Sequence, residues 1–233
     1  MSTHQIDGQR VTELIARCRR EVDDGLLPSC QIALGLNGEI VVDETIGDAL
    51  PETRYCFFSA TKPFVAAAIW QLLSEDLLQL DAPISTYLPE FADNGKADIT
   101  VEQVMLHTSG FPHAPMGPAV WATAESRRKR MAEWRLNWDP GTRYEYHPTS
   151  AHWVLAELIS EVTGRPYAEE IHHRVTETLG LPRILGIEFE QQGGIAELTL
   201  CEGEATPDEL EAVFGIRVMP PSEVNDETII RFN

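Results

Sequence analysis

The stretch Phe57-Phe58-Ser59-Ala60-Thr61-Lys62-Pro63-Phe64, at the mouth of an apolar run that continues without glycine to Leu80, decides how the rest of the chain is read. Residues 61–80 predict a buried helix, and Pro63 sits near its start, where a missing backbone N–H costs little. Ser59 and Lys62 are three residues apart, so on a helix their side chains share a face and can touch. A serine hydroxyl is a weak nucleophile until a base takes its proton, and a lysine can be that base only as the neutral amine. Burial among Phe57, Phe58 and Phe64 and the positive end of the helix dipole would both disfavour the ammonium. The same helix end would stabilise an oxyanion, with the N–H of Ser59 as one donor. Standing alone, S-x-x-K also fits an N-cap serine followed by a surface lysine.

Upstream, Val11, Leu14, Ile15 and Cys18 recur at helical spacing over residues 11–22, an amphipathic helix ending near Gly25. Residues 31–36 and 39–42 are β-rich runs flanking Asn37-Gly38, the signature of a type I′ hairpin. Downstream, residues 81–91 hold two prolines and predict short turns, and 100–106 a short helix with Thr100 as cap and Gln103 three residues on. Residues 107–118, rich in Gly, Pro and Ser, are irregular. The basic run Arg127 to Arg130 within 123–134 is read as a solvated helix face. Two further helices are expected, at 150–163 closed by Gly164 and at 167–179 closed by Gly180. Beyond Pro182 the pattern weakens to strands at 184–189 and 195–200 and a short helix at 207–213, and 219–233 offers no closing element. No repeat or low-complexity stretch suggests separate modules.

The 233 residues suffice for one generous domain with a sizeable core. A net charge of −19 with only 18 Lys and Arg argues against a nucleic acid or an anionic membrane as partner. Residues 1–10 are polar and nowhere are there 18 consecutive apolar residues, so neither a signal peptide nor a membrane span is expected, and a cytoplasmic location is. Cys18, Cys30, Cys56 and Cys201 form no C-x-x-C pair and read as reduced, partly buried thiols. The pair His172-His173 lacks an H-E-x-x-H or comparable spacing, so no metal site is expected. With neither G-x-G-x-x-G nor a P-loop, no cofactor is expected either.

Three segments besides the Ser-Lys stretch bear on its reading: Asp81-Ala82-Pro83-Ile84, Leu106-His107-Thr108-Ser109-Gly110-Phe111, and Pro140-Gly141-Thr142-Arg143-Tyr144-Glu145-Tyr146. In this order and spacing the chain resembles the class C β-lactamase, D-alanyl-D-alanine carboxypeptidase and family VIII esterase group, from about Gly8 to the last residue. The resemblance implies a mixed α/β (α+β) domain, β-lactamase/transpeptidase-like, in which an antiparallel sheet flanked by the terminal helices joins a helical region. Residues 1–233 are expected to be one such domain: a helix and hairpin over 8–55, a helical region with the motifs over 56–180, and an irregular tail over 181–233. The resemblance further implies that Ser59 attacks a carbonyl, Lys62 accepts its proton, and Tyr146 hydrogen-bonds the serine and protonates the leaving group. Tyr144 is the neighbouring candidate, with a substrate contact or simple loop packing as its roles. The S-D-N motif of class A enzymes and the G-x-S-x-G elbow of α/β-hydrolases are absent.

Two departures from the family pattern stand out. The family's Tyr-x-Asn reads Tyr146-His147-Pro148, so the amide that would hold the lysine and the substrate carbonyl is missing, and His147 is expected to take over a polar role at the substrate. No Lys-Thr-Gly or His-x-Gly triplet follows Tyr146, and Gly193-Gly194 reads as a turn. That triplet's strand supplies the second oxyanion donor, whose loss would lower turnover on the order of 10²–10³-fold. The expectation is a domain incomplete at its C-terminus, a replacement sheet from 184–189 and 195–200, or a site completed by a second chain or homo-oligomer. The expected activity is hydrolysis of a small-molecule ester or amide, with a catalytically impaired binding or regulatory protein on the same scaffold as the alternative.

Overall fold

The computed structural model describes residues 6–198, 205–214 and 217. These separate into two compact units, one of residues 6–56 with the described residues beyond 192, the other Phe57–Gln192. In the first unit, α1 (Gly8–Asp23) is capped by Asp7, whose carboxylate accepts from the N–H groups of Gln9 and Arg10 at 3.0 and 3.2 Å. Those donors would otherwise stand open at the helix start. The helix ends as expected, at Gly25 with φ 74°. Strands β1 (Ser29–Leu36) and β2 (Glu39–Gly47) pair antiparallel, and α1 lies against both. Asn37 and Gly38 between them take φ 54° and 87°, the left-handed pair of a type I′ turn.

Of the strand expected at 195–200, the described part makes one parallel bridge, Ile195 with Arg54, after a turn at Gly193 and Gly194. Residues 199 and 200 lie outside the described residues, as do Cys201 and 219–233. Helix α7 (Pro207–Phe214) matches the short helix read near the end. Cys18, Cys30 and Cys56 are half-buried free thiols.

The second unit is helical, and a 3₁₀ turn at Phe58–Thr61 runs straight into its first helix, α2 (Lys62–Ser74). The apolar run continues to Leu80, but the helix does not. Asp76 takes φ 57°, and the N–H groups of Asp76 and Leu77 turn back onto the carbonyls of Leu73 and Leu72 at 3.2 and 3.0 Å, closing the helix in left-handed geometry without a glycine. Helix α3 (Val101–Met105) carries a full capping box, Thr100 Oγ1 accepting from the Gln103 N–H and Gln103 Oε1 from the Thr100 N–H. After α4 (Ala124–Glu133) comes α5 (Ser150–Thr163), closed by Gly164 at φ 70°. Helix α6 (Tyr167–Ile171) then widens into a π-type turn, His172–Thr176, spanned by a 2.7 Å contact between His172 Nδ1 and Thr176 Oγ1.

Two sequence expectations fail in this unit. Residues 184–189 are not a strand, because Gly186 takes φ 60°, incompatible with an extended ladder, and a 3₁₀ turn begins at Phe189. The basic run is a solvated face only in its second half: Lys129 is exposed and Arg130 pairs with Glu133 at the surface, but Arg127 and Arg128 turn inward onto Glu157 of α5, whose carboxylate is fully buried. Burial of that carboxylate without partners would be far costlier than ordering two arginines.

The core that fixes the unit is built from helix faces. Val154, Leu155, Leu158 and Ile159 of α5 share a core with Val65, Ile69 and Leu72 of α2 and Val101 and Val104 of α3, each burial stabilising by roughly 1.5–3 kcal/mol. Phe111 and Trp134, ring centroids 5.6 Å apart, pin the loop after α3 to this core. That loop turns at Gly110, with φ 86°, where a Cβ would lie 2.4 Å from the carbonyl oxygen of Trp138. Gly110→Ala is therefore expected to destabilise by about 2–3 kcal/mol, read as a lower urea midpoint at unchanged slope. No helix among the described residues is long and apolar enough to cross a membrane.

Candidate active site

Phe58 holds φ 44°, a conformation that costs a bulky residue about 1–3 kcal/mol. It turns the chain into the 3₁₀ turn and leaves Ser59 exposed in the first turn, at the positive end of the helix, which favours negative charge. One turn further, the core residues Val65, Ala68, Ile69 and Leu72 fix α2, and with it the direction of Lys62. Lys62 Nζ donates to Ser59 Oγ at 3.0 Å. Tyr146 Oη donates to the same oxygen at 2.9 Å, and Lys62 Nζ lies 5.2 Å from the centroid of the Tyr146 ring.

The tyrosine is placed by the loop quoted around His107. His107 takes φ 57°; its carbonyl accepts the Glu145 N–H at 3.2 Å and its Nδ1 accepts the His147 N–H at 3.1 Å. Two clamps on either side thus fix Tyr146, whose ring lies 5.1 Å from that of His107. Accepting at Nδ1 puts the His107 proton on Nε2, and burial, with His147 and Lys62 nearby, holds its pKa below the usual histidine value. For Tyr146, burial opposes ionisation, but hydrogen bonds with Lys62 and Ser59 and the charge of Lys62 outweigh it and lower the phenol pKa. A phenol so placed passes a proton more readily than a free tyrosine.

Not every expected residue reaches the site. His147 is fully buried; its Nε2 accepts the Phe111 N–H at 3.1 Å and its Nδ1 meets the Glu145 carbonyl at 2.6 Å. Those contacts fix the Nδ1–H tautomer and commit both nitrogens to the backbone, so the substrate contact expected of His147 is replaced by a structural role. Tyr144 is 67% exposed, its ring edge-on to His107 at 6.5 Å, and it is absent from the cavity wall. The aromatic cover expected over Lys62 is also incomplete, with Phe57 40% and Phe58 57% exposed.

Beside Ser59 and Lys62 opens a cavity of about 300 Å³, walled by Phe58, Val65, Trp153, Ala156, Tyr167 and Leu185, with Pro148, Thr149 and His152 at the start of α5. His107 and His152 are functional candidates that the spacing arguments missed. His107 lies in the segment 106–111 and His152 in an apolar helical run, where no spacing rule singles either out. Among the described residues no cluster of three or more His, Cys, Asp or Glu could hold a metal ion.

Residues 14–185, well over half of the chain, match the Beta-lactamase family, and the chain belongs to that family. The match stops short of the last residue, to which the sequence resemblance had been extended. The fold is the mixed α/β, β-lactamase/transpeptidase-like one expected. PbpX of Bacillus subtilis (strain 168), whose name classes it with the penicillin-binding proteins, is 33% identical over 154 residues, 62% of this chain and 38% of PbpX. Esterase EstB of Burkholderia gladioli is 28% identical over 149 residues, 56% of this chain and 38% of EstB. A crystal structure of a penicillin-binding protein homologue from Caulobacter crescentus superposes with a TM-score of 0.74 at 25% identity, covering 90% of this chain and 60% of that one. The chain thus spans well under half the length of the curated relatives it matches.

Proposed function

We propose that this chain carries the acylating half-site of a serine hydrolase that cleaves a small ester or amide through a covalent acyl-enzyme. One observation carries the reading: Ser59 Oγ receives hydrogen bonds from both Lys62 Nζ, at 3.0 Å, and Tyr146 Oη, at 2.9 Å. In this mechanism Ser59 Oγ attacks the substrate carbonyl while Lys62, as the amine, takes the hydroxyl proton. The oxyanion is stabilised by the Ser59 N–H at the start of the helix as one donor. Tyr146 protonates the leaving group as the tetrahedral intermediate collapses, and is recharged from Lys62. Water, deprotonated by the same pair, then releases the acyl group. The names of an esterase and a penicillin-binding protein among the relatives support acyl transfer as the reaction class. Residues 1–233 are read as part of one β-lactamase-related domain, with the second oxyanion donor to come from outside the described residues or from a second chain.

A second reading has its own observation. Pro148 stands in the cavity wall where the family pattern has an amide, which favours a binding or regulatory protein on the same scaffold. Labelling separates the two: a fluorophosphonate probe is expected to label wild type and not Ser59→Ala, whereas no labelling of wild type from about pH 6 to 9 supports the binding protein. The tyrosines give a finer check. Tyr146→Phe is expected to slow labelling on the order of 10²-fold and Tyr144→Phe by less than about threefold, since only Tyr146 touches Ser59; equal losses would refute the assignment.

A further inference from the structure

Two aromatic rings in the wall of the cavity beside Ser59 and Lys62, Trp153 of α5 and Tyr167 of α6, meet edge to face with centroids 6.4 Å apart. Arg127 of α4 does not line the cavity, but it touches both rings. Its guanidinium carbon lies 5.8 Å from the centroid of Trp153 and 5.7 Å from that of Tyr167. A cation at this range is attracted to an aromatic face, the more so out of water, and Arg127 is buried. Two hydrogen bonds fix its direction, from Nε to Glu157 Oε1 at 2.6 Å and from a terminal nitrogen to the Trp121 carbonyl at 2.5 Å. The ring of Trp121 in turn lies 6.0 Å from that of Trp153. Pairing with Glu157 accounts for the charge of Arg127. It does not account for a guanidinium set against two rings of one cavity wall.

We infer that Arg127 is a positioning residue for substrate selection: held by Glu157, it fixes the rings of Trp153 and Tyr167 and so sets how long an apolar chain the cavity accepts. The inference rests on the serine-hydrolase reading above. With Phe58, Val65 and Leu185 beside the two rings, the walls favour an uncharged hydrocarbon chain, and a volume of about 300 Å³ limits its length. Each methylene that leaves water inside the cavity raises kcat/KM about fourfold. Once the cavity is full, further methylenes stay in water and add nothing. The chain length at which the rise stops therefore reports where the wall stands. A planar guanidinium can stack on rings while it hydrogen-bonds in its own plane, whereas a lysine ammonium is a compact charge on a flexible stem. A thinner side chain at position 127 lets the rings retreat, and the cavity lengthens.

Two ester series test this on the full chain. p-Nitrophenyl esters from acetate to decanoate lengthen the acyl side, and alkyl acetates from methyl to octyl lengthen the alcohol side. Wild type is expected to rise about fourfold in kcat/KM per methylene in one series and then to level off. Two variants keep the fold: Arg127→Lys leaves a cation for Glu157, and Arg127→Met with Glu157→Leu removes both charges together. In the double variant the levelling-off should move to longer chains, raising the ratio of the longest ester to the shortest by about fourfold or more. Arg127→Lys should move it the same way by less. Uniform losses along the series, with the levelling-off unmoved in both variants, would overturn the inference, since a role in stability alone lowers every member alike. A wild-type series that never levels off would overturn it too. If wild type hydrolyses neither series, the hydrolase reading fails for these esters, and binding decides Arg127 alone. In Ser59→Ala, affinity for the amides from butanamide to octanamide should stop rising at a shorter chain than in Ser59→Ala with Arg127→Lys; the same length in both, or no binding, overturns the inference.

Discussion

Lys62→Ala is expected to lower the rate of Ser59 modification by a fluorophosphonate on the order of 10⁴-fold, while the melting temperature moves by no more than a few degrees. The large kinetic effect follows from geometry: Lys62 Nζ sits 3.0 Å from Ser59 Oγ, and Tyr146, the other group bonded to that oxygen, donates to it and so cannot also take its proton without first losing its own. A positioned general base contributes about 10²–10⁴-fold, and groups that act as a unit lose nearly everything when one is removed. The small effect on stability follows from surroundings. Lys62 is half-buried, and its truncation leaves no buried charge behind; α2 keeps the core contacts of Val65, Ala68, Ile69 and Leu72. Stopped-flow labelling alongside a thermal melt checks both halves, and a variant that labels at close to the wild-type rate would remove Lys62 from the mechanism.

The largest stability effect is expected at Glu157. Its carboxylate is 0% exposed and bridges Arg127 Nε at 2.6 Å and Arg128 Nε at 2.9 Å. Arg127 is itself buried; it also donates to the Trp121 carbonyl, and its guanidinium lies 5.8 and 5.7 Å from the ring centroids of Trp153 and Tyr167. Burial disfavours the charge on Arg128, but the bonds to Glu157 and Glu161 outweigh it and raise its pKa. Glu157→Ala leaves the buried Arg127 without a carboxylate, while Arg128 keeps Glu161, and is expected to destabilise by about 3–5 kcal/mol, a large share of the roughly 5–15 kcal/mol that holds a domain folded. Replacing both partners, in Arg127→Met with Glu157→Leu, should recover most of the loss, because two apolar side chains of similar volume need no pairing. Urea unfolding of the two variants distinguishes a buried charge network from an ion pair of little weight; a loss under about 1 kcal/mol in Glu157→Ala would show that the network carries little.

What could be read in the sequence was what local chemistry dictates. The Asn37-Gly38 turn, the Thr100 and Gln103 box and Gly164 act through neighbours a few residues away, and each element they bound was legible. Ser59 and Lys62 share a helix turn, so their contact was legible too, and Tyr146 was found only through the family likeness, since no spacing rule brings it to Ser59. Apart from the early close of α2 at Asp76, the failures are non-local. Residues 184–189 look like a strand by composition, but a strand needs a partner, and Gly186 turns the chain instead. The arginines of α4 look solvated until α5 presents a buried glutamate to them. His147 and His152 are indistinguishable as letters: one is consumed by the backbone of Glu145 and Phe111, the other has both nitrogens buried with no hydrogen-bond partner among the described residues. Sequence spacing does not encode that difference, because it depends on which way each ring turns once the loop at His107 has folded.

The most direct test is to locate the label. Wild type treated with a fluorophosphonate, digested and mapped by mass spectrometry, is expected to carry the phosphonate on the peptide containing Ser59 and on no other, with the same peptide unmodified in Lys62→Ala treated for an equal time. A phosphonate found on a different residue, or Ser59 labelled equally in both proteins, would contradict a hydroxyl activated by the amine one turn away.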